Sequence, residues 1–387
     1  MNRGEIHHGD TEARRYKRSV SFLCASVPLW CKPDSWEGAF SKFLDTYWDH
    51  EPLFPTRLFP SREFQALVGT GGIRGAWGVA MKLGFVSAIL PELNLDGVLS
   101  FAAAEGFSCV EIMCWPVGKA ERKYAGVTHI DVTSFTKAQA EDVHALCAKH
   151  GVSISGLGYY PNPLDPNPEV SKVATDQIKR VIRAAEVLGL KNVNTFVGRD
   201  WTKSVDDNWP RFLKVWKPLI AYAEDHGVFV GIENCPMSFT KDEWPGGKNL
   251  MTTPVIWRRA FADIPSKHFG LNYDPSHFVL QHMDPASPLK EFQDKIFHFH
   301  AKDVKIRPDR MQEVGVFAHP LEWHQPRIPG YGEMDWGRFL SALMETRYRG
   351  PVCIEVEDDT FGKDLAGRQA ALRVAGNVLR PYFGNRS

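Results

Sequence analysis

Residues 227–233, Gly227-Val228-Phe229-Val230-Gly231-Ile232-Glu233, open on a glycine, run through β-branched and aromatic residues, and end on a carboxylate. A helical pattern near 208–227 precedes them, so Gly227 sits where a helix closes in a left-handed cap and a strand begins. The same unit recurs along the chain. Strand-like runs cover 82–87, 109–114, 153–158, 192–197, 228–233, 269–274, 296–301 and 351–356. Helical patterns lie near 95–106, 136–150, 170–189, 208–227, 254–263, 286–294, 335–347 and 363–380. Gly151, Gly189 and Gly350 are placed like Gly227, and Asp131 and Thr133 to Thr136 supply caps before the second helix. Strands alternating with helices mean βα units and a parallel sheet. Eight such units predict an α/β fold, a (β/α)₈ TIM barrel. The competing topology is a doubly wound open sheet. No Gly-rich phosphate loop follows the first strand, which counts against it.

The chain has 387 residues, 43% hydrophobic and 24% charged, enough for one barrel of about 250 residues plus extras. Lys+Arg and Asp+Glu are 46 each, so no net basic field argues for nucleic acid. No stretch is long and apolar enough to span a membrane. Cys109, Cys114, Cys235 and Cys353 lie in or beside strand runs and read as reduced core residues, which predicts a reducing, cytoplasmic location. Arg14-Arg15-Tyr16-Lys17-Arg18 before Val20–Trp30 resembles an export signal, but Pro28 interrupts the run and charge resumes at Lys32. Residues 1–80 have no clear period and end near a linker-like Gly69-Thr70-Gly71-Gly72. They read as an irregular N-terminal extension: a segment packed on the barrel, a partner-binding element, or sequence upstream of a start at Met81. The last is preferred, with residues 81–387 as the barrel.

Four polar residues end four successive strand runs: Glu233, Asp274, His300 and Glu355. In a parallel barrel they meet at the C-terminal mouth, where such barrels do chemistry. Two Glu, one Asp and one His suit a divalent cation that takes oxygen and imidazole, such as Mn²⁺, Mg²⁺, Co²⁺ or Zn²⁺. Clustered carboxylates repel, and a cation holds them ionised together. His277, three residues beyond Asp274, reaches the same pocket. His298 and His300 alternate along one strand, so both point to one face, with His298 one layer deeper. Lys302 shares that parity and reads either as a contact to a substrate oxygen or as a solvated loop lysine. Glu111, on strand two, is a pocket acid or a buried acid paired with a base. Trp115, Tyr159 and Phe196 end other strands and suit stacking on a substrate ring or core packing. The excursion Val304–Pro329 holds His319, Trp323, His324 and Arg327, and is long enough for a substrate collar.

The motifs Ile232-Glu233-Asn234, Asp274-Pro275-Ser276-His277, His300-Ala301-Lys302-Asp303, Pro329 to Trp336 and Ile354-Glu355 resemble the sugar phosphate isomerase/epimerase group of xylose isomerase-like barrels. The resemblance spans roughly residues 81–380. It implies Glu233, Asp274, His300 and Glu355 as metal ligands, His277 as a substrate- or ligand-orienting residue, and Gly330/Gly332 as a Gly-rich segment after strand seven.

This reading predicts a metal-dependent isomerase or epimerase working through an enediolate, with Glu233 and Glu355 as the acid/base pair. His277, Lys302, Glu111, Trp115, His324 and Arg327 are the candidate substrate contacts. No phosphate cradle is evident, so the expected partner is a small non-phosphorylated sugar, keto-sugar, glycoside or inosose. A homo-oligomer is compatible with the sequence. The rivals are a metal-dependent lyase on the same class of substrate, a phosphodiesterase of the endonuclease IV type, and a barrel that only binds.

Overall fold

Eight parallel strands close into a barrel in the computed structural model, which describes residues 81–118, 126–238, 241 and 244–383. The expectations for residues 1–80 lie outside the described residues. The barrel strands are β1 (Lys82–Val86), β2 (Cys109–Met113), β3 (Ser153–Gly158), β4 (Asn192–Thr195), β5 (Phe229–Glu233), β6 (Phe269–Tyr273), β7 (Ile296–Ala301) and β10 (Pro351–Ile354). Their order around the barrel is β1-β10-β7-β6-β5-β4-β3-β2. Closure of β1 on β10, with Gly84 against Cys353, excludes the open doubly wound sheet.

The helices are α1 (Leu95–Ala104), α2 (Lys137–His150), α3 (Pro168–Val187), α4 (Val205–Asp225), α5 (Pro254–Asp263), α6 (Ser276–Leu280), α7 (Leu289–Phe292), α8 (Pro308–Val314), α9 (Trp336–Met344) and α10 (Leu365–Leu379). Local chemistry sets their ends. Thr136 caps α2 in a reciprocal box with Gln139, and the Asn167 side chain accepts from the Glu169 N–H ahead of α3, with Pro168 at its first position. Gly151, Gly189 and Gly227 are left-handed, at φ 65°, 68° and 64°. Gly350 is not, which corrects that expectation. Its reason is space: a Cβ there would come within 2.5 Å of the Tyr348 hydroxyl, which donates to the Pro351 carbonyl.

Alternation along the strands divides the core. Val110 and Ile112 belong to the large cluster with the helices, whereas Cys109 and Met113 pack in a second cluster with Tyr160, Phe196, Cys235 and Cys353. The helix expected near 286–294 is only α7, a single turn. The excursion after β7 is more ordered than its sequence suggests. β8 (Asp303–Ile306) pairs antiparallel with β9 (His324–Arg327), and α8 lies between them. Pro326 sits opposite Val304, tolerable because a two-stranded sheet consists of edges.

Candidate metal centre

The period-2 side-chain alternation of parallel strands brings the four strand-end residues together. Glu233 closes β5, Asp274 follows β6, His300 lies near the end of β7, and Glu355 follows β10. Each offers a donor atom within 4.8 Å of the others. His300 Nδ1 is 3.5 Å from Glu233 Oε2 and 3.6 Å from Glu355 Oε2. Glu233, Asp274 and His300 are buried, and the Glu355 side chain is 19% exposed.

The tautomer of His300 is set from behind. Glu111 Oε2 lies 2.7 Å from its Nε2. A carboxylate there can only accept, so we assign the proton to Nε2 and the lone pair to Nδ1, aimed at the carboxylates. A chain of hydrogen bonds holds Glu111 in turn. The Tyr160 hydroxyl donates to Glu111 Oε1 at 2.5 Å and accepts from the Asn272 amide at 3.1 Å. His298 Nδ1–H donates to Asn272 Oδ1 at 3.0 Å, and the Ser155 hydroxyl donates to His298 Nε2 at 3.0 Å. Burial by itself would raise the Glu111 carboxyl, but the His300 and His298 imidazoles beside it outweigh burial and hold it below the usual carboxylate range.

His300 Nδ1 and Asp274 Oδ2 are buried atoms without a hydrogen-bond partner. Asp274 Oδ2 has only charge contacts, to Lys302 Nζ at 3.2 Å and His277 Nε2 at 3.3 Å. Burial would depress the His300 pKa, yet Glu111, Glu355 and Glu233 raise it well above its ordinary value. The pocket therefore favours positive charge at that nitrogen. One imidazole lone pair and three carboxylates fit a divalent cation, and Glu111 stands where an outer carboxylate would orient His300 as a ligand.

Lys302 sits beside this quartet. Its ammonium is 2.8 Å from Glu355, 3.1 Å from Glu357 and 3.2 Å from Asp274, and the residue is only 3% exposed. The reading of Lys302 as a solvated loop residue is thereby corrected. Burial opposes its charge, but the Glu355, Glu357 and Asp274 carboxylates outweigh burial and raise its pKa well above that of a free lysine.

Above the quartet opens a cavity of about 750 Å³. Glu233, Glu355, His277, Lys302, Trp115 and His324 line it. His277 Nε2 lies 3.3 Å from Glu233 Oε1. His324 donates from Nδ1 to the Pro320 carbonyl at 2.5 Å, and burial lowers its pKa to about 4, so it is neutral. Two expected substrate contacts lie elsewhere. Glu111 is the buried acid paired with a base, under the cavity floor. Arg327 Nε is 3.3 Å from Asp358, and its Nη1 donates to the Thr360 hydroxyl at 3.0 Å. An ion pair that close fixes the guanidinium away from the cavity wall. Of the strand-end aromatics, Trp115 and Phe196 reach the cavity, and Tyr160 does so in place of Tyr159. Of the excursion residues, Trp323 lines it and His319 does not.

Sequence reasoning passed over Tyr160, Asn272, Glu357 and the site role of Cys235. Parity marks three of them: Asn272 is two residues before Asp274, Glu357 two after Glu355, and Cys235 two after Glu233. Tyr160 is in phase with Gly158. A Cβ at Gly158 would come within 2.5 Å of Glu111 Oε1, so the glycine leaves the space in which Glu111 and Tyr160 meet. Cys235 also joins Glu233 and His277 in a second set of donor atoms within 4.8 Å.

The chain is 26% identical over 322 residues to the uncharacterized protein YfiH of Bacillus subtilis (strain 168), covering 74% of this chain and 96% of that one. It is 30% identical over 115 residues to the inosose dehydratase of Lacticaseibacillus casei, covering 29% of this chain and 38% of the relative. Among solved structures it resembles D-psicose 3-epimerase with D-tagatose from Clostridium cellulolyticum H10, with TM-score 0.56 and 15% identity over 79% of this chain and all of that one. It also resembles the IOLI protein with a binding zinc atom, with TM-score 0.57 and 19% identity over 79% of this chain and 100% of that one. Likeness at these identities shows the fold. The family model for the xylose isomerase-like TIM barrel matches residues 99–380, and with the closed eight-stranded barrel it places this chain in that family.

Proposed function

We propose that this protein is a divalent-metal-dependent isomerase or epimerase of a non-phosphorylated keto-sugar, glycoside or inosose. The observation that carries this is the convergence of Glu233 Oε2 and Glu355 Oε2 on His300 Nδ1, at 3.5 and 3.6 Å, from strands separated by β6 and β7. The two carboxylates flank the floor of one cavity. When bound, the cation would supply Lewis-acid stabilisation of negative charge on substrate oxygen, and Glu233, Asp274, His300 and Glu355 would hold it. A neighbouring fold bound to zinc supports a metal of this class, with Mn²⁺ the preferred ion.

Glu233 and Glu355 divide the proton transfer. One takes the proton from carbon beside the carbonyl, and the other returns a proton to the enediolate. Return to the opposite face of the same carbon gives an epimer, and return to the neighbouring carbon gives an isomer. His277, against Glu233 Oε1, is placed to hold a substrate hydroxyl or carbonyl oxygen. Positioned carboxylates contribute about 10²–10⁴-fold to such steps.

A second reading, a dehydratase, rests on Lys302. A buried ammonium beside Glu355 and Glu357 can protonate a departing β-hydroxyl. The inosose dehydratase relative supports it. Both readings share the first step. Incubation of the Mn²⁺-loaded protein in D₂O with ketoses, 3-keto-glucosides and inososes, followed by NMR, tests it. Deuterium beside the carbonyl, lost with EDTA, is the expected result, and the product separates epimer, isomer and elimination. EDTA-insensitive exchange would remove the metal from the proposal.

A further inference from the structure

The cavity is larger and more apolar than a sugar requires. A hexose has about twelve heavy atoms. Even at the ~30 Å³ share of a liquid water each, they fill roughly 360 Å³, under half of the roughly 750 Å³ present. The remainder lies between walls that include Trp115, Met237, Trp244, Leu250, Leu321 and Trp323. The outer tryptophans have spent their polar atoms on the protein. Trp244 Nε1 donates to the Phe317 carbonyl at 2.8 Å, and Trp323 Nε1 donates to the Ala318 carbonyl at 3.4 Å while its ring stacks on His282 at 5.8 Å. What they offer inward is apolar and already positioned.

Among the described residues on the cavity wall, the permanent cations are Lys302 and Arg199. Lys302 is held by three carboxylates at the floor. Arg199 donates to the carbonyls of Gly246 at 2.6 Å and Lys203 at 2.9 Å. Lys302 is thereby committed to the floor, and the Arg199 Nε is buried without a partner. The neutral His324 adds no charge.

The apolar walls and the carboxylate floor belong to one continuous cavity, long enough for one molecule to reach both. We infer that the substrate is a glycoside whose sugar ring carries the carbonyl and whose aglycone is a flat aromatic group held by the tryptophan-lined collar. This rests on the proposed proton-transfer chemistry for the sugar half and on the collar alone for the aglycone half.

The test compares methyl and phenyl 3-keto-β-glucosides with the Mn²⁺-loaded full chain, read as deuterium exchange in D₂O. Binding of unreactive phenyl β-glucoside is measured beside it by calorimetry. Two variants probe the collar: Trp323→Ala, which removes a buried wall, and Leu321→Ser, at a position 49% exposed where folding is not at stake. The expected result is a kcat/KM for the phenyl compound at least about tenfold above the methyl compound, an ordinary effect of filling an apolar pocket. Both variants should reduce that preference, read as the ratio of phenyl to methyl kcat/KM. Equal rates for the two compounds, unmoved by either variant, would overturn the collar assignment and leave the proton-transfer reading standing. Phenyl glucoside binding that weakens in both variants, without exchange of any compound, would support the collar and overturn the chemistry. Neither binding nor exchange would overturn both.

Discussion

Glu111 accepts from His300 Nε2 at 2.7 Å, the shortest of three contacts at that nitrogen beside Asn272 Nδ2 at 3.0 Å and the Tyr160 hydroxyl at 3.2 Å, while Nδ1 faces Glu233 and Glu355. The carboxylate on β2 thereby contacts the proposed ligand on β7, across the barrel interior. Glu111→Gln replaces an acceptor-only group by an amide whose orientation is ambiguous, which unlocks the tautomer. The expected outcome is a 10–100-fold loss of metal affinity, roughly the effect of removing such outer partners. Competition with a chelating indicator measures it. Unchanged affinity would show that His300 is oriented by something other than Glu111.

Glu233→Gln and Glu355→Gln should each lower deuterium exchange by at least about 10²-fold. On the proposed mechanism, each would remove both a proton carrier and a charge from the cation's shell. The melting temperature of the metal-free protein should fall in both variants, because each loses a carboxylate that faces a buried cation: Glu355 is 2.8 Å from the Lys302 ammonium, and Glu233 is 3.5 Å from His300 Nδ1. Exchange persisting near the parent rate in either variant would exclude that residue from acid/base work.

His324 links the cavity wall to pH. Burial lowers its pKa from 6.5 to about 4, so between those values the unfolded chain binds a proton that the folded chain refuses. Stability therefore rises with pH across this window and is lost as pH falls through it. The full contribution is on the order of a few kcal/mol, at about 1.4 kcal/mol per pKa unit. His324→Asn keeps a donor for the Pro320 carbonyl and removes the titration. Urea midpoints from pH 4 to 7 should be flatter in the variant, and an unchanged slope would place the titrating group elsewhere.

Asp303 anchors the segment after β9. Its Oδ1 accepts from the Val304 and Met334 N–H groups at 2.8 and 3.1 Å, and its Oδ2 from Gly330 N–H and Trp336 Nε1, both at 3.1 Å. Asp303→Ala strands buried donors at about 1–3 kcal/mol each, less than additively, and should lower the melting temperature by several degrees. Gly332→Ala tests the same contact from the other side, because its Cβ would come within 2.2 Å of Asp303 Oδ1 and 2.5 Å of the Val304 carbonyl. Parent-like melting of Gly332→Ala would mean that the segment has room to move.

Much of this arrangement was legible in the chain because strand parity is a local property. A run that ends on Glu233, Asp274, His300 or Glu355 announces both the strand and the end of it that carries the donor. Runs alternating with capped helices leave few topologies other than a closed parallel barrel. What stayed hidden depends on partners far apart in sequence. That Glu111 meets His300, that Lys302 is buried among Asp274, Glu355 and Glu357, and that Arg327 turns to Asp358 are facts of barrel closure and of the β8–β9 pairing. No local pattern encodes them. The same holds for the volume of the cavity, which is set by which side chains from separate loops stop short of one another. Local period and capping chemistry determined the barrel and the four strand-end donors, whereas long-range packing decided their second partners and the space above them.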